Sequence, residues 1–204
     1  MITLKGPEQV LASIKAKGYK TFEGDAPYDL NIFGVRSANP VANSFDDIVG
    51  VVYRCADGGM HLEYWQATTD PGTYWLEGYN SDRVSGTAIL VPGQYRGVYK
   101  LDLHGGAYTA LCQRAGKVKV YRDSNRDNVL DWEGTEREGY YGINIHRASS
   151  RNTSTQVNKW SAGCQVIANP DDFARLLELA NKQIEYHPTW TKFTYTLLEE
   201  SDLV

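Results

Sequence analysis

Long hydrophobic runs are missing from this sequence of 204 residues. A membrane-spanning helix needs about 20 consecutive apolar residues, and because no stretch approaches that length we expect no membrane insertion. The first residues, Met1-Ile2-Thr3-Leu4-Lys5, also lack the apolar core of a secretory signal peptide. We therefore expect synthesis in the cytoplasm, and export, if there is any, by a route that does not read such a signal.

An excess of positive charge is missing as well. The chain has 21 lysine and arginine residues against 25 aspartates and glutamates, which gives a net charge of −4 and a pI near 5.6. Binding to phosphate backbones requires a dense surface of lysine and arginine. Nucleic acid is therefore not an expected partner.

Cysteine and histidine are both scarce. The three cysteines, Cys55, Cys112 and Cys164, are an odd number and do not suggest a disulfide framework. Cys55 and Cys112 lie in apolar, strand-like stretches, so we expect them to be buried structural thiols. The four histidines show none of the HxH, HExxH or CxxC spacings that are typical of zinc sites, and zinc is not expected.

Short strand-like runs separated by Gly, Pro, Asn and Asp make up most of the chain. They cover residues 30–35, 48–54, 61–67, 87–91, 97–103, 117–121, 140–146 and 191–198. Residues 7–17 indicate a short helix, and Asn169-Pro170-Asp171-Asp172 has the capping residue, proline and acidic residues that open a longer one. The pattern predicts a mainly β protein with flanking helices, of the α+β class.

The most informative stretch combines His146 with Ser161-Ala162-Gly163-Cys164. In the strand before it, alternation places Asn144 and His146 on the face opposite Ile143 and Ile145. An adjacent imidazole can convert a thiol into the reactive thiolate by forming an ion pair. Backbone N–H groups at Gly163 and Cys164 could bind an oxyanion, for which one donor is typically worth about 3 kcal/mol. The alternative is a buried free cysteine near a histidine whose hydrogen bonds are satisfied.

These residues resemble the catalytic domain of L,D-transpeptidases. The likeness rests on His146, on Ser161-x-Gly163-Cys164 with its cysteine eighteen residues after His146, and on the helix opened at Asn169. It covers roughly residues 86–185, where residues 91–95 also look like that family's Pro-Gly turn. The resemblance implies a β-sandwich or barrel with one long helix after a catalytic cysteine. It also implies an enzyme that exchanges or cleaves peptide bonds in peptidoglycan stems. We expect a catalytic domain at 86–204 and an unassigned segment, 1–85, packed on it.

The chain departs from the family pattern at three positions. Ala162 stands where the family usually has His, Val166 where it has Arg, and Arg147 where it has a small residue. His104 could supply a second imidazole and Arg147 a cation, and Trp160 and Tyr141 complete the expected substrate-binding set. The catalytic set is Cys164, His146, Ser161 and Gly163.

The departures favour hydrolysis over transfer, because hydrolysis needs no site for an acceptor amine. We therefore expect a peptidase of the cell wall, endolysin-like or carboxypeptidase-like, with peptidoglycan as its partner and phage virion or lysis components as further partners. The alternatives are a non-catalytic family member serving as a phage structural or wall-binding module, and a cysteine peptidase that acts on proteins.

An acidic stretch suggests a structural calcium ion, and no other cofactor is expected. Oxygen-bearing side chains recur at alternating positions, as in the first part of an EF-hand loop: Asp123, Asn125, Asp127, Asp131 and Glu133. Asn128 stands where such a loop needs a left-handed residue, but Gly134 occupies the position of the usual final glutamate. The alternative is a solvated turn held by Asx hydrogen bonds.

Overall fold

A computed structural model describes residues 2–78 and 86–204. The elements are α1 (Pro7–Ala16), β1 (Asn31–Arg36), β2 (Asp47–Arg54), β3 (Met60–Thr68), α2 (Thr73–Leu76), β4 (Thr87–Leu90), β5 (Gly93–His104), β6 (Tyr108–Gln113), β7 (Val118–Asp123), β8 (Arg137–Gly139), β9 (Ile145–Arg147), β10 (Gln165–Ile167), α3 (Pro170–Tyr186) and β11 (Phe193–Glu199). The prediction of a mainly β protein of the α+β class is confirmed.

Eight strands close into a barrel in the order β1-β11-β5-β6-β9-β10-β3-β2, and β4, β7 and β8 form a separate three-stranded sheet. Most barrel neighbours are antiparallel, but β1 pairs with β11 and β9 pairs with β10 in parallel. Strands from both predicted segments, 1–85 and 86–204, belong to this barrel. The boundary expected at residue 85 therefore does not divide the structure into two folded units.

The apolar core has two main layers, on opposite sides of β1. Ile32 faces the barrel interior, whereas Phe33 and Val35 pack with Val10 and Ile14 of α1 on the outside. All six residues of β1 are buried for this reason. Covering both faces removes the polar alternation that would otherwise mark a surface strand.

The long helix α3 follows the predicted capping pattern. The Asn169 side chain accepts a hydrogen bond from the Asp171 backbone N–H at 2.8 Å, and Pro170 occupies the first helical position. Phe173, Leu176 and Ala180 join the apolar cluster of the barrel interior. Within the two described ranges, no helix combines the length and apolar character that a membrane crossing requires.

A buried polar network joins the first strands to the rest of the barrel. The Arg36 side chain donates to the carbonyl oxygens of Leu90 (3.0 Å) and Thr69 (3.2 Å), and its Nε lies 3.1 Å from Asp70 Oδ1. Asp47 accepts hydrogen bonds from the backbone and hydroxyl groups of Thr69. Burial, together with the charge of Asp70, raises the pKa of Asp47 to about 7.

A second buried contact fixes β10. Tyr195 Oη donates to Gln165 Oε1 at 2.8 Å, and Gln165 Nε2 donates to the carbonyl oxygens of Thr69 and Gly163, each at 3.4 Å. Gly34 lies against this tyrosine, because a Cβ atom at residue 34 would stand 2.0 Å from Tyr195 Oη. The absence of a side chain at Gly34 is thus needed for the position of β10.

Replacing Gly34 with alanine should destabilise the barrel by about 1–3 kcal/mol, the usual cost of overpacking a core. The matched control is Gly24→Ala, because Gly24 is exposed and a Cβ there would meet nothing within 4 Å. Urea denaturation followed by tryptophan fluorescence measures both free energies of unfolding. Equal stability of the two variants would contradict the role given to Gly34.

Candidate active site

The parallel pairing of β9 with β10 brings His146 and Cys164 into one part of the barrel wall. Val166 stands opposite His146, and the Gln165 N–H donates to the Asn144 carbonyl at 2.9 Å. The Asn144 N–H in turn donates to Cys164 Sγ at 3.4 Å. Cys164 therefore stands opposite Asn144, two positions before His146 along the neighbouring strand.

Both side chains belong to the same face of the barrel wall. Ile143 and Ile145 join the interior core, whereas Cys164 packs outside it with Val166 and Ala148. Asn144 and His146 alternate with the two isoleucines, as predicted, although strand β9 begins only at Ile145. Strand spacing and rise place the Cα atoms of Cys164 and His146 about 8 Å apart on the diagonal.

A backbone carbonyl fixes the tautomer of His146. The imidazole Nδ1 lies 2.8 Å from the carbonyl oxygen of Arg147. A carbonyl oxygen only accepts, so Nδ1 carries the hydrogen and Nε2 presents its lone pair. The Tyr108 hydroxyl lies 3.3 Å from the same carbonyl oxygen and 3.2 Å from Nδ1. The group that orients the imidazole thus belongs to the main chain, which no side-chain pattern in the sequence reveals.

Burial keeps this imidazole neutral. His146 is 4% exposed, and burial lowers its pKa to about 3, assisted by the charges of His104 and Arg147. The imidazolium needed for the expected ion pair with a thiolate is therefore absent near neutral pH. His146 Nε2 is instead an unprotonated hydrogen-bond acceptor at neutral pH.

A second imidazole, His104, stacks on the first at 4.1 Å between ring centroids and an interplanar angle of 22°. Asn144 Oδ1 accepts from the Gln113 N–H at 2.9 Å, so its amide nitrogen donates to His104 Nδ1, which lies 3.0 Å away. Neutral His104 then carries its hydrogen on Nε2. Burial lowers the pKa of His104, as do the charges of Arg114 and Arg147. The stacked rings have opposite tautomers, one with an accepting Nε2 and the other with a donating Nε2.

Ser161 and Gly163 shape the turn before the cysteine. Ser161 Oγ donates to the Cys164 carbonyl at 2.8 Å and accepts from the Gly163 N–H at 3.1 Å. The Gly163 N–H is therefore engaged inside the turn, which corrects the expectation that it binds an oxyanion. Gly163 has φ +114°, and a Cβ there would lie 2.2 Å from the Ala88 carbonyl oxygen. Glycine is needed for this close approach.

The expected substrate-binding residues have different surroundings. The Arg147 guanidinium lies 4.0 Å above the Tyr108 ring, beside the two imidazoles. Tyr141 lies under the Arg122 guanidinium at 4.7 Å. Trp160 exposes 37% of its surface, as a substrate contact requires. Of this set, the structure brings His104 and Arg147 to His146.

The acidic loop is held by its own Asx turns. Asn125 Oδ1 accepts from the Asp127 N–H at 3.2 Å, and Asp127 Oδ1 accepts from the Val129 N–H at 2.8 Å. The left-handed residue is Arg126, with φ 66°, so the expectation for Asn128 was wrong. The turn therefore does not follow an EF-hand backbone.

Calcium binding by this loop stays a prediction. Asp123 is buried, its Oδ2 accepts from the Asp131 N–H at 3.2 Å, and its Oδ1 has no hydrogen-bond partner. Burial raises the pKa of Asp123 to about 6, and the charges of Asp131 and Asp127 add to this effect. Within the described ranges, Asp123, Asp127, Asp131 and Glu133 supply no three carboxylates that lie within 4.8 Å of one another. A rise in melting temperature on adding calcium would test the site.

No family model, curated protein or solved structure matches this chain. The likeness to L,D-transpeptidases therefore rests on the motif residues alone. The geometry adds three groups that the motif did not indicate: Tyr108, Asn144 and the Arg147 carbonyl. Alternation in the sequence already placed Asn144 on the face of His146, but its hydrogen bond to His104 was not predicted.

Replacing His146 with glutamine should make the free energy of unfolding less sensitive to acid. Folded His146 stays neutral to about pH 3, whereas the unfolded imidazole binds a proton below about pH 6.5. Acid therefore favours the unfolded chain by about 1.4 kcal/mol per pH unit in this window, and stability is retained above it.

Urea denaturation at pH 7 and pH 4 measures this difference for the wild type and His146→Gln. Contributions from carboxyl groups are common to both proteins and cancel in the comparison. A His61→Gln control removes an exposed imidazole and, with both proteins purified without metal, should match the wild type. An unchanged pH dependence in His146→Gln would show that His146 is not held neutral.

Proposed function

We propose that this chain is a cysteine-dependent enzyme that cleaves peptide bonds in the stem peptides of peptidoglycan. The observation that supports it most is the parallel register of β9 and β10, which sets Cys164 diagonal to His146 on one face of the barrel wall. The Arg147 carbonyl holds the imidazole hydrogen on Nδ1. The lone pair on His146 Nε2 therefore serves as the base in this proposal.

In this proposal Cys164 Sγ attacks the peptide carbonyl carbon while its proton passes to His146 Nε2. Because the pKa of His146 is about 3, proton transfer accompanies formation of the S–C bond rather than preceding it. When the tetrahedral intermediate collapses, the C–N bond breaks and the leaving amine takes the proton from Nε2. Water then hydrolyses the thioester, which releases the acid and restores the thiol.

His104 offers a donor for the negative charge that develops on the carbonyl oxygen. Its Nε2–H is left for a substrate because Asn144 occupies Nδ1. This donor takes the role first expected of the Gly163 N–H, which Ser161 engages. A polar donor in a half-buried site stabilises such charge more strongly than the same group in water.

Hydrolysis is favoured over transfer by the surroundings of the cysteine. Val166, at the position where L,D-transpeptidases usually have arginine, is fully buried among apolar residues. No cation at that position can hold an acceptor stem, whereas water needs no such site. Peptidoglycan as the substrate is inferred from the Ser161-x-Gly163-Cys164 motif. From the same motif we propose that the protein acts at the bacterial cell wall, as part of a phage lysis or virion system.

Substituting Cys164→Ala should abolish turnover of purified peptidoglycan, measured by mass spectrometry of muropeptides. Shortened stems are expected from the wild type, whereas new cross-links would indicate transfer. Cys55→Ala is the matched control, because Cys55 lies in the β2–β3 hairpin and should not affect turnover. Full activity of Cys164→Ala, or an inactive wild type, would remove the proposal. Cleavage of denatured protein by the wild type would indicate a general peptidase instead.

The second candidate is a non-catalytic structural or wall-binding module. The burial of His146 under His104 favours this non-catalytic module, because a substrate cannot easily reach a base that is almost fully covered. Thiol reactivity separates the two functions. An inert structural thiol reacts slowly and independently of a nearby imidazole.

If Cys164 is a nucleophile, iodoacetamide should alkylate it faster than Cys112, which is fully buried. His146→Gln should slow alkylation of Cys164 but not of Cys112. The rate should show no inflection near pH 6.5, since His146 does not titrate there. Peptide mapping by mass spectrometry gives both rates, and equal rates for the two thiols would favour the non-catalytic module.

A further inference from the structure

The hairpin between β2 and β3 gathers three metal-ligating side chains far along the chain from Cys164. Cys55 and Asp57 lie in the turn, and His61 lies on β3 opposite Tyr53. One ligand atom from each of Cys55, Asp57 and His61 lies within 4.8 Å of the other two. Among the residues that the structure describes, no other three side chains of the His, Cys, Asp or Glu type bring their ligand atoms this close together.

The backbone of the turn holds the cysteine and the aspartate in place. The Cys55 N–H donates to the Gly59 carbonyl at 2.8 Å, and the Gly58 N–H donates to the Cys55 carbonyl at 3.0 Å. Asp57 Oδ1 accepts from the Gly59 N–H at 2.9 Å. Gly58 has φ +90°, so glycine permits the reversal that turns Asp57 back toward the strands.

Packing on β2 positions the histidine. The His61 ring stacks on Tyr53 at 5.7 Å and 25°. The Tyr53 hydroxyl donates to Glu63 at 2.7 Å, and Glu63 pairs with Arg175 of α3. The imidazole therefore rests on a residue that is itself held by the barrel and the long helix.

A glycine leaves room where the ligand atoms converge. A Cβ atom at Gly59 would lie 3.3 Å from both His61 Nε2 and Asp57 Oδ1. These two atoms are 4.0 Å apart. Because any side chain at residue 59 would enter this space, Gly59 leaves the space between the ligand atoms open for an ion.

The donor set selects the class of ion. Sulfur, imidazole nitrogen and carboxylate oxygen together suit zinc and related transition metals, whereas calcium and magnesium prefer oxygen alone. Tetrahedral coordination at about 2.0–2.3 Å places ligand atoms roughly 3.3–3.8 Å apart. The His61–Asp57 spacing of 4.0 Å needs a contraction of about 0.7 Å at most, which the exposed Asp57 side chain is able to provide. The spacings to Cys55 Sγ, each within 4.8 Å, need about 1.5 Å at most.

The charges also match a divalent cation. A thiolate and a carboxylate carry two negative charges, and neutral histidine adds none. The neighbouring cation, Arg54, is directed to the carbonyl oxygens of Gly24 and Gly58. The Tyr28 hydroxyl lies 3.7 Å from Cys55 Sγ and provides a hydrogen-bonding group behind the sulfur.

We propose that Cys55 Sγ, His61 Nε2 and the Asp57 carboxylate bind one zinc-class divalent ion, with water completing the tetrahedron. The ion joins the end of β2 to the start of β3 across the turn of the hairpin. This site is independent of the proposed peptidase function, since it uses neither Cys164 nor His146. The proposal departs from the expectation that the scattered histidines bind no zinc. Cys55 is partly exposed, which corrects the expectation that it is a buried thiol.

Cobalt(II) titration of the full chain, purified without metal, tests the site. We expect one equivalent to bind, with thiolate-to-cobalt charge-transfer absorption in the near ultraviolet, and added zinc to remove that absorption. Cys55→Ser should lose the charge-transfer band. His61→Gln and Asp57→Asn should each weaken binding by at least about tenfold. The matched control Cys164→Ser should retain the band unchanged.

Circular dichroism verifies that each variant is folded. If Cys55→Ser does not fold, the binding affinities of His61→Gln and Asp57→Asn test the metal site instead. The proposal is overturned if the wild type shows no thiolate band, or if the band persists in Cys55→Ser at full intensity. Loss of the band in Cys164→Ser alone would also overturn it, because the metal would then lie at the other cysteine. These outcomes leave the test of peptidase activity unaffected.

Discussion

Two backbone hydrogen bonds set which residue of β10 faces which residue of β9: the Gln165 N–H donates to the Asn144 carbonyl, and the Ala148 N–H donates to the Ile167 carbonyl. Because side chains alternate along a strand, a shift by one residue would turn Cys164 into the barrel interior and separate it from His146. The buried Gln165 side chain resists such a shift through its bonds to Tyr195 and to the carbonyl oxygens of Thr69 and Gly163. The candidate site thus depends on a register that a buried amide maintains.

The first third of the chain is part of this arrangement. Strand β3 flanks β10 on the side away from β9, with Thr68 opposite Val166. The buried Arg36 joins β1 to the end of β3 and to Leu90. Burying a charge is costly unless it is paired and hydrogen-bonded. Asp70 pairs with Arg36 Nε here, whereas Arg36 Nη1 is buried without a hydrogen-bond partner. The strand next to the cysteine therefore comes from a segment that shows no resemblance to the transpeptidase pattern.

Local signals predicted the local structure well. The caps of α3, the Pro7 start of α1 and most longer strands follow from residue spacing. The two parallel pairings could not be predicted, since they join residues far apart in sequence and β10 has only three residues. In the site, the face of His146 was predictable from alternation, but its tautomer and low pKa depend on a backbone carbonyl and on burial. The Cys55 cluster was missed because a hairpin, rather than a sequence motif, assembles it.

The depressed pKa of His146 has a consequence for the surroundings in which the proposed base can act. Anionic polymers concentrate cations, protons included, at their surface, so the local pH there is lower than in the bulk. An ordinary imidazole would be protonated in that layer and could no longer accept a proton. An imidazole that stays neutral to about pH 3 keeps its lone pair at a highly charged surface. Burial of the ring therefore preserves its ability to accept a proton in an acidic layer.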